Sequence, residues 1–349
     1  MIAPHTKLPR DRHDADCTPM TVSYLQRKPR PKQNYSLEFI FEDLRHRLSG
    51  NIRPTVHQAP FYSKGFVRRV LIAISAALHQ GDLNHLTGDI NFASLLLSRK
   101  KTLLTILDAG VLEGKTGLRK SLLRWLWFRL PAKHAEAITT ISESAKQDIL
   151  RHVDIPEDKI HVIPVAVSPQ FTFKAKAFDV SCPRILQVGT KTNKNLTRLI
   201  PALAGIPCRL QIIGPLSDEI KNQLSKFNIS YDNWTNLTLA EVIKRYEQCD
   251  LVAFCSTYEG FGMPIVEANA VGRPVVTSNC TSMPEVAGNA ARLVNPHSIG
   301  SIRDGICQVV NDAEYRNGLI AKGMSNAKRF DPGIIAQQYL ALYEEIAIH

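Results

Sequence analysis

Apolar residues along this chain fall into short blocks, separated by longer stretches in which they recur every three or four positions. In the first half, blocks at 21–25, 53–57, 83–87, 102–107, 137–141 and 160–165 read as strands. Helical spacing fills 36–48, 64–78 and 142–153 between them. Residues 168–181 lose the rhythm and read as a linker. The alternation then restarts, with strands at 184–188, 209–213, 251–255, 274–277 and 292–294. Helices follow at 194–203, 218–227, 239–249 and 264–271, and again from 298 to the end, with Asp331 and Pro332 marking a helix start.

Repeated strand–helix units of this kind predict parallel sheets covered on both faces. The pattern gives an α/β protein of two doubly wound, Rossmann-like domains facing each other across a cleft. The expected divisions are a disordered N-terminal extension at 1–19, a first domain at 20–175, a second at 176–330, and a C-terminal helix at 331–349 that packs back toward the first domain. A chain of 349 residues suits two cores better than one.

Charge changes the picture more than composition does. The net charge is +11. Residues 1–175 hold 26 Lys and Arg against 16 Asp and Glu, whereas 176–349 hold 17 against 16. The basic half is expected to meet a polyanion or an anionic membrane surface. No apolar run approaches the roughly 20 residues that span a bilayer, and the first 20 residues do not read as a signal peptide. The expected location is cytoplasmic, or peripheral on the inner face of the plasma membrane. The seven cysteines are scattered with no CxxC pair, so they read as free thiols in a reducing compartment, and no Cys/His cluster has the spacing of a metal site.

The candidate chemistry concentrates in the second half. The stretch STYEGFGMPIVE at 256–267 follows an apolar strand and opens a helix. Gly260 and Gly262 permit a tight turn that exposes backbone N–H groups, and Pro264 suits a first helical turn. A strand, a glycine loop and a helix N-terminus together favour an anion such as a diphosphate. Glu259 in the loop and Glu267 in the helix can accept hydroxyl hydrogen bonds from a ribose or a hexose. A second element, RILQVGTKTNKN at 184–195, places Lys191, Lys194 and Asn195 after the turn at Gly189 and Thr190.

Together these stretches resemble the E-x7-E motif and flanking segments of the family-4 type retaining glycosyltransferases (glycosyl transferases group 1), which have the GT-B fold. The flanks EANAVGRPVVTS at 267–278 and MPEVAG at 283–288 are similar to that family too. The resemblance covers roughly residues 83–349 and implies transfer of a hexose from a nucleotide-diphosphate sugar with retention, without a metal or other cofactor. It implies that Gly189, Thr190, Lys191, Lys194 and Asn195 grip the donor diphosphate. Thr190 stands where the family commonly has Arg, and Lys191 can supply the charge. Gly214 and Trp234 would line the base pocket, with Trp234 free to stack on a base or to serve as an ordinary core or surface residue. Gly260, Phe261, Gly262 and Met263 would cradle the donor, with Glu259 on its sugar and Glu267 on its ribose. Glu259, Asp108 and Lys194 are the candidate catalytic residues. Asp108 would meet the acceptor hydroxyl.

The first half departs from the family at Leu107, where a histidine usually reaches the donor sugar. The match ISES at 141–144, a serine-bearing strand end before a helix, is retained. Residues 115–130 mix Lys115, Arg119, Lys120, Arg124 and Arg129 with Trp125, Trp127 and Phe128. They read either as a basic amphipathic helix on an anionic membrane or as an ordinary domain helix. Membrane contact would suit a saccharide or lipid-linked saccharide acceptor in surface-polysaccharide assembly. The alternative reading is a catalytically weak or inactive sugar-nucleotide-binding protein on the same scaffold. No nucleic-acid module is recognised, so nucleic acid is not an expected partner.

Overall fold

The computed structural model describes residues 19–29, 36–107 and 125–348. The expected extension (but for its last residue), Asp108, and residues 115–124 of the basic aromatic stretch lie outside the described residues. Two six-stranded parallel sheets form the frame. The first contains β1 (Thr21–Gln26), β2 (Arg53–Gln58), β3 (Leu83–Thr87), β4 (Thr102–Thr105), β5 (Ala137–Thr140) and β6 (Ile160–Val162), in the order β2-β1-β3-β4-β5-β6. The second contains β7 (Arg184–Val188), β8 (Arg209–Ile213), β9 (Tyr231–Trp234), β10 (Leu251–Phe254), β11 (Val275–Ser278) and β12 (Arg292–Val294), in the order β12-β11-β10-β7-β8-β9.

The central strands are covered on both faces, so their period-two geometry sends apolar side chains to opposite layers. Val22 and Tyr24 of β1, with Leu83 and Leu103, join one buried layer, and Leu25, Leu86 and Leu104 join the layer on the opposite face. In the second sheet Ile185, Leu251 and Ala253 face one layer and Leu186, Val252 and Phe254 the other. In that sheet the chain builds β7, β8 and β9 in one direction, then places β10 on the other side of β7. The reversal opens a crevice at the carboxyl ends of β7 and β10, the place where ligands bind in open α/β sheets.

The C-terminal helix Pro332–Ile348 returns to the first sheet. Its Ile335, Tyr339, Tyr343 and Ile346 pack with Val22, Phe41, Leu83 and Leu103. Buried polar atoms fasten it there. His85 on β3 joins Tyr343 Oη through Nδ1 at 2.8 Å and Thr105 Oγ1 through Nε2 at 2.7 Å. Burial pushes the His85 imidazole down to about 3, with the positive charge of Arg45 adding to the effect, so the ring is neutral. The two chain crossings between the sheets also meet, with Val167 N donating to Phe330 O at 3.0 Å.

Several elements differ from their expected bounds for local reasons. The first-half helix begins at Phe66 after Gly65, whose φ of 77° ends the preceding turn. Segment Asn91–Leu96, with no predicted element, is a 3-10 helix. The helix expected from 194 begins at Leu196, because Asn195 adopts the left-handed conformation after a 3-10 turn at Thr192–Lys194. The long C-terminal stretch divides at Asp312, whose extended backbone breaks the helix and whose carboxylate caps the next one at Tyr315 N.

Candidate functional site

The two motifs meet at the β7/β10 crevice. Backbone and side chain zip them together: Thr257 N donates to Asn193 O at 2.8 Å, and Asn193 Nδ2 donates to Tyr258 O at 2.9 Å and Glu259 Oε1 at 3.2 Å. Gly189 has φ of 87°, and a Cβ there would lie 2.9 Å from Lys194 Cε. The bare glycine therefore lets the lysine stem cross the turn and reach the crevice. Lys194 Nζ donates to Glu259 Oε1 at 2.6 Å and lies 4.6 Å from the centre of the Phe254 ring.

Glu267 stands one helical turn into Met263–Val271, which begins at left-handed Gly262 with Pro264 in its first turn. Tyr246, fully buried, donates its hydroxyl to Glu267 Oε2 at 2.5 Å. Burial raises the Glu267 carboxyl to about 7, against the opposing pull of the Tyr246 hydroxyl and the nearby Lys194 charge. The crevice thus holds one ammonium between two carboxylates, one firmly paired and one titrating near neutrality.

Hydroxyls from behind set the shape of the glycine loop. Ser282 Oγ can donate to Glu259 O at 2.9 Å or Phe261 O at 2.7 Å, and Thr281 Oγ1 accepts from Glu259 N at 3.3 Å. Ser278 Oγ donates to Ser256 O at 2.6 Å. The first half reaches the same loop across the cleft. Ser142 Oγ donates to Gly260 O at 2.7 Å while accepting from Ala145 N at 3.0 Å as the cap of helix Glu143–Leu150. Glu285 places its carboxylate on that helix start, accepting from Glu143 N at 2.9 and 3.0 Å. An anion at a helix N-terminus is favourable on dipole grounds.

Lys194, Glu259, Gly260 and Glu267 therefore converge, with Gly189, Gly262 and Met263 framing them. Other expected residues engage their side chains within the protein. The Asn195 side chain is buried and donates to Cys255 O at 2.9 Å and Pro296 O at 2.7 Å, so it braces the turn and has no N–H left for a diphosphate. Thr190 Oγ1 donates to Pro215 O at 2.6 Å and packs on Gly214, whose own Cβ would lie 2.9 Å from it; the pair ties two loops together. Phe261 is buried against Phe330, with ring centres 5.5 Å apart. Lys191 is exposed at the rim.

Trp234 is half-buried at the end of β9, and the Arg245 guanidinium covers one face at 4.2 Å. Leu107 follows β4, and its carbonyl accepts from Thr140 Oγ1 at 3.4 Å. Sequence reasoning missed Tyr246, Ser282, Thr281, Asn193 and Glu285 as parts of the site. A tyrosine set between Arg245 and Glu247 in helix Leu239–Gln248 carries no local signal of a site, and only the fold brings it against Glu267, 21 residues away. Glu285 was at least inside a noted segment, MPEVAG.

Comparison with known proteins agrees with this geometry. The model for glycosyl transferases group 1 matches residues 170–325, and that for glycosyltransferase family 4 matches residues 31–171. The chain is 29% identical to the serotype-specific mannosyltransferase WbdA of Escherichia coli, over 57% of this chain and 27% of that protein. It is 28% identical to the O-antigen chain mannosyltransferase B of Escherichia coli, over 56% of this chain and 57% of the relative. The matches thus span about a quarter to just over half the length of these curated relatives. Among solved structures, Anabaena Alr3699/HepE in complex with UDP and glucose superposes with a TM-score of 0.75 at 17% identity, covering 93% of this chain and all of that one. WaaG, a glycosyltransferase involved in lipopolysaccharide biosynthesis, gives 0.70 at 13% identity, covering 92% and 99%. With the two sheets arranged as in the GT-B fold and the two family models together spanning most of its length, the chain belongs to the group 1 glycosyltransferases.

Proposed function

We propose that this protein transfers a hexose from a nucleotide-diphosphate sugar, with retention, to a hydroxyl of a saccharide or lipid-linked saccharide during surface-polysaccharide biosynthesis. The observation that carries the reading is the Lys194–Glu259 pair at the β7/β10 crevice, with Glu267 held beside it by Tyr246. The names of the two mannosyltransferase relatives favour mannose as the sugar.

In this reading Glu267 accepts the ribose hydroxyls through the oxygen that Tyr246 leaves free. Lys194 has N–H groups beyond the one given to Glu259, and these meet the diphosphate. As the bond from the sugar to the diphosphate breaks, negative charge grows on the leaving oxygens. Lys194 and the N–H groups at the start of helix Met263–Val271 stabilise it without a metal. Glu259 accepts from the sugar hydroxyls and keeps the Lys194 amine in place. The Ser142 and Glu285 contacts hold the closed cleft, which limits water access to the donor.

Leu107 favours a second reading, a scaffold that binds the donor with little or no transfer, because an alkyl side chain cannot hydrogen-bond the sugar where the family uses histidine. A thermal-shift screen against UDP, GDP, ADP and their sugar conjugates tests both. One nucleotide should stabilise the protein, by about 2.7 kcal/mol at a hundredfold excess over Kd, and Glu267→Ala should remove the shift. Binding without transfer to any saccharide acceptor selects the second reading. No shift with any nucleotide rejects both.

A further inference from the structure

Helix Phe66–Ala77 is built inside out. It turns Ile72, Ala73 and Ala76 to the core, a mostly small set, and leaves its bulk in solvent. Phe66 is 80% exposed, Val67 69%, and Leu78 at the helix end 77%. Val70, Leu71 and Ile74 are also exposed. Val67, Leu71, Ile74 and Leu78 follow one another at intervals of four, three and four residues, which places them in one stripe along the helix. A soluble surface scatters its large apolar residues singly; a continuous stripe marks an interaction face.

The helix is rigidly placed. His57 Nε2 of β2 joins Ser75 Oγ at 2.9 Å, and the Arg69 guanidinium stacks 4.4 Å from the centre of the Trp127 ring. Trp127 in turn packs on Phe92, with ring centres 5.1 Å apart. Its neighbour Trp125 is 48% exposed, so the exposed apolar surface includes a tryptophan next to the anchored one.

The charge around the stripe has one sign. From residue 49 to residue 81, the segment that leads into and holds this helix, the charged residues are Arg53, Lys64, Arg68 and Arg69, with no Asp or Glu. Arg53, Lys64 and Arg68 are exposed. Two copies of this face would bring like charges together, which opposes self-association. Protruding phenylalanine and aliphatic side chains flanked by cations instead match a soft surface that is apolar within and anionic at its rim. From these observations we infer that helix Phe66–Ala77, with Leu78, Lys64 and Arg68, is a docking face for the surface of an anionic lipid bilayer. The aliphatic stripe enters the headgroup boundary and the basic side chains meet lipid phosphates. This face is separate from the expected membrane contact of residues 115–130, most of which lie outside the described residues.

Flotation of the full-length protein with vesicles tests it, using phosphatidylcholine alone and phosphatidylcholine with about one-third phosphatidylglycerol. Binding is expected on the anionic vesicles, reduced about tenfold or more by Lys64→Glu with Arg68→Glu, and weakened by raised salt. Val67→Asp with Leu71→Asp should abolish it. Because all four side chains are exposed, these variants should keep the wild-type melting temperature, which is measured alongside. Failure to bind anionic vesicles by a folded protein overturns the inference. So does binding that survives Val67→Asp with Leu71→Asp, since the contact then lies elsewhere. A dimer in light scattering that the same pair of substitutions dissolves would assign the face to a second copy and also overturn it.

Discussion

Both halves of this molecule bury polar side chains at the heart of a parallel sheet, yet the two sets face different things. In the second half Asn193, Ser278, Thr281 and Ser282 spend their hydrogen bonds on the backbone of the loop that carries Glu259, so a binding edge is shaped before any ligand arrives. In the first half His85, Thr105 and Thr139 bond one another and the Tyr343 hydroxyl of the returning helix, and the network ends inside the core. The same kinds of residue therefore build a site in one half and fasten an element in the other. What separates them is whether the network terminates at the carboxyl edge of the sheet or under a helix. Electrostatics follows that division. His85 is held neutral by burial, whereas Glu267, beside Lys194, titrates near 7.

The largest test of this contrast is catalytic. Glu259→Ala and Lys194→Ala should each lower transfer by about 10²–10³-fold, the size expected for loss of one group that stabilises developing charge. Substitutions in the His85 network should change melting temperature far more than they change kcat per folded molecule. Transfer that persists in Glu259→Ala would place the chemistry elsewhere.

The next effect is on stability against pH, where the halves should oppose each other. The folded His85 has a pKa far below its unfolded value of 6.5, so the unfolded chain binds more protons. Its contribution is full above pH 6.5 and fades as pH falls toward 3, about 2 kcal/mol of it by pH 5. Glu267 has the reverse sign. Its folded pKa of about 7 exceeds 4.5, so the native state binds the proton more tightly and loses stability as pH rises from 4.5 to 7. Between pH 5 and 7 the two effects are each about 2 kcal/mol and nearly cancel, so urea unfolding should show stability rising with pH in Glu267→Gln and falling with pH in His85→Gln. Unchanged slopes in both variants would separate these two side chains from the pH response.

The smallest expected effect lies where the halves touch. Glu285→Ala leaves the amides of Glu143 and Ser144 without their carboxylate and should cost about 1 kcal/mol. Small-angle scattering should then record a larger radius of gyration without a nucleotide and recovery with one. An unchanged radius would mean that the Ser142–Gly260 and Tyr258–Asp148 hydrogen bonds suffice to keep the cleft closed.

Much of this protein can be read directly from its residues. The apolar blocks at 184–188 and 251–255 marked β7 and β10, and the glycines at 189, 260 and 262 marked the turns beyond them, because tight turns and buried strands are local demands on the chain. Lys194, Glu259 and Glu267 followed from those turns and from the family resemblance. Asn195 and Thr190 were legible as residues of the site but not in their role, since their partners at Cys255, Pro296 and Pro215 are 25 to 101 residues away.

Local patterning by itself determined two doubly wound blocks, the strands whose ends bear the site, and a first half rich in positive charge. Only the tertiary structure decided which sheet each polar side chain would serve, that Tyr246 would orient Glu267, and that Glu285 would cross to the other half. It also decided the fate of helix Phe66–Ala77. Apolar residues ring much of that helix, and periodicity reports that a face is apolar without reporting what lies against it. The sheet chose the side with alanines, because close packing on the sheet and the 3-10 segment favours small side chains, and the larger ones were left outside.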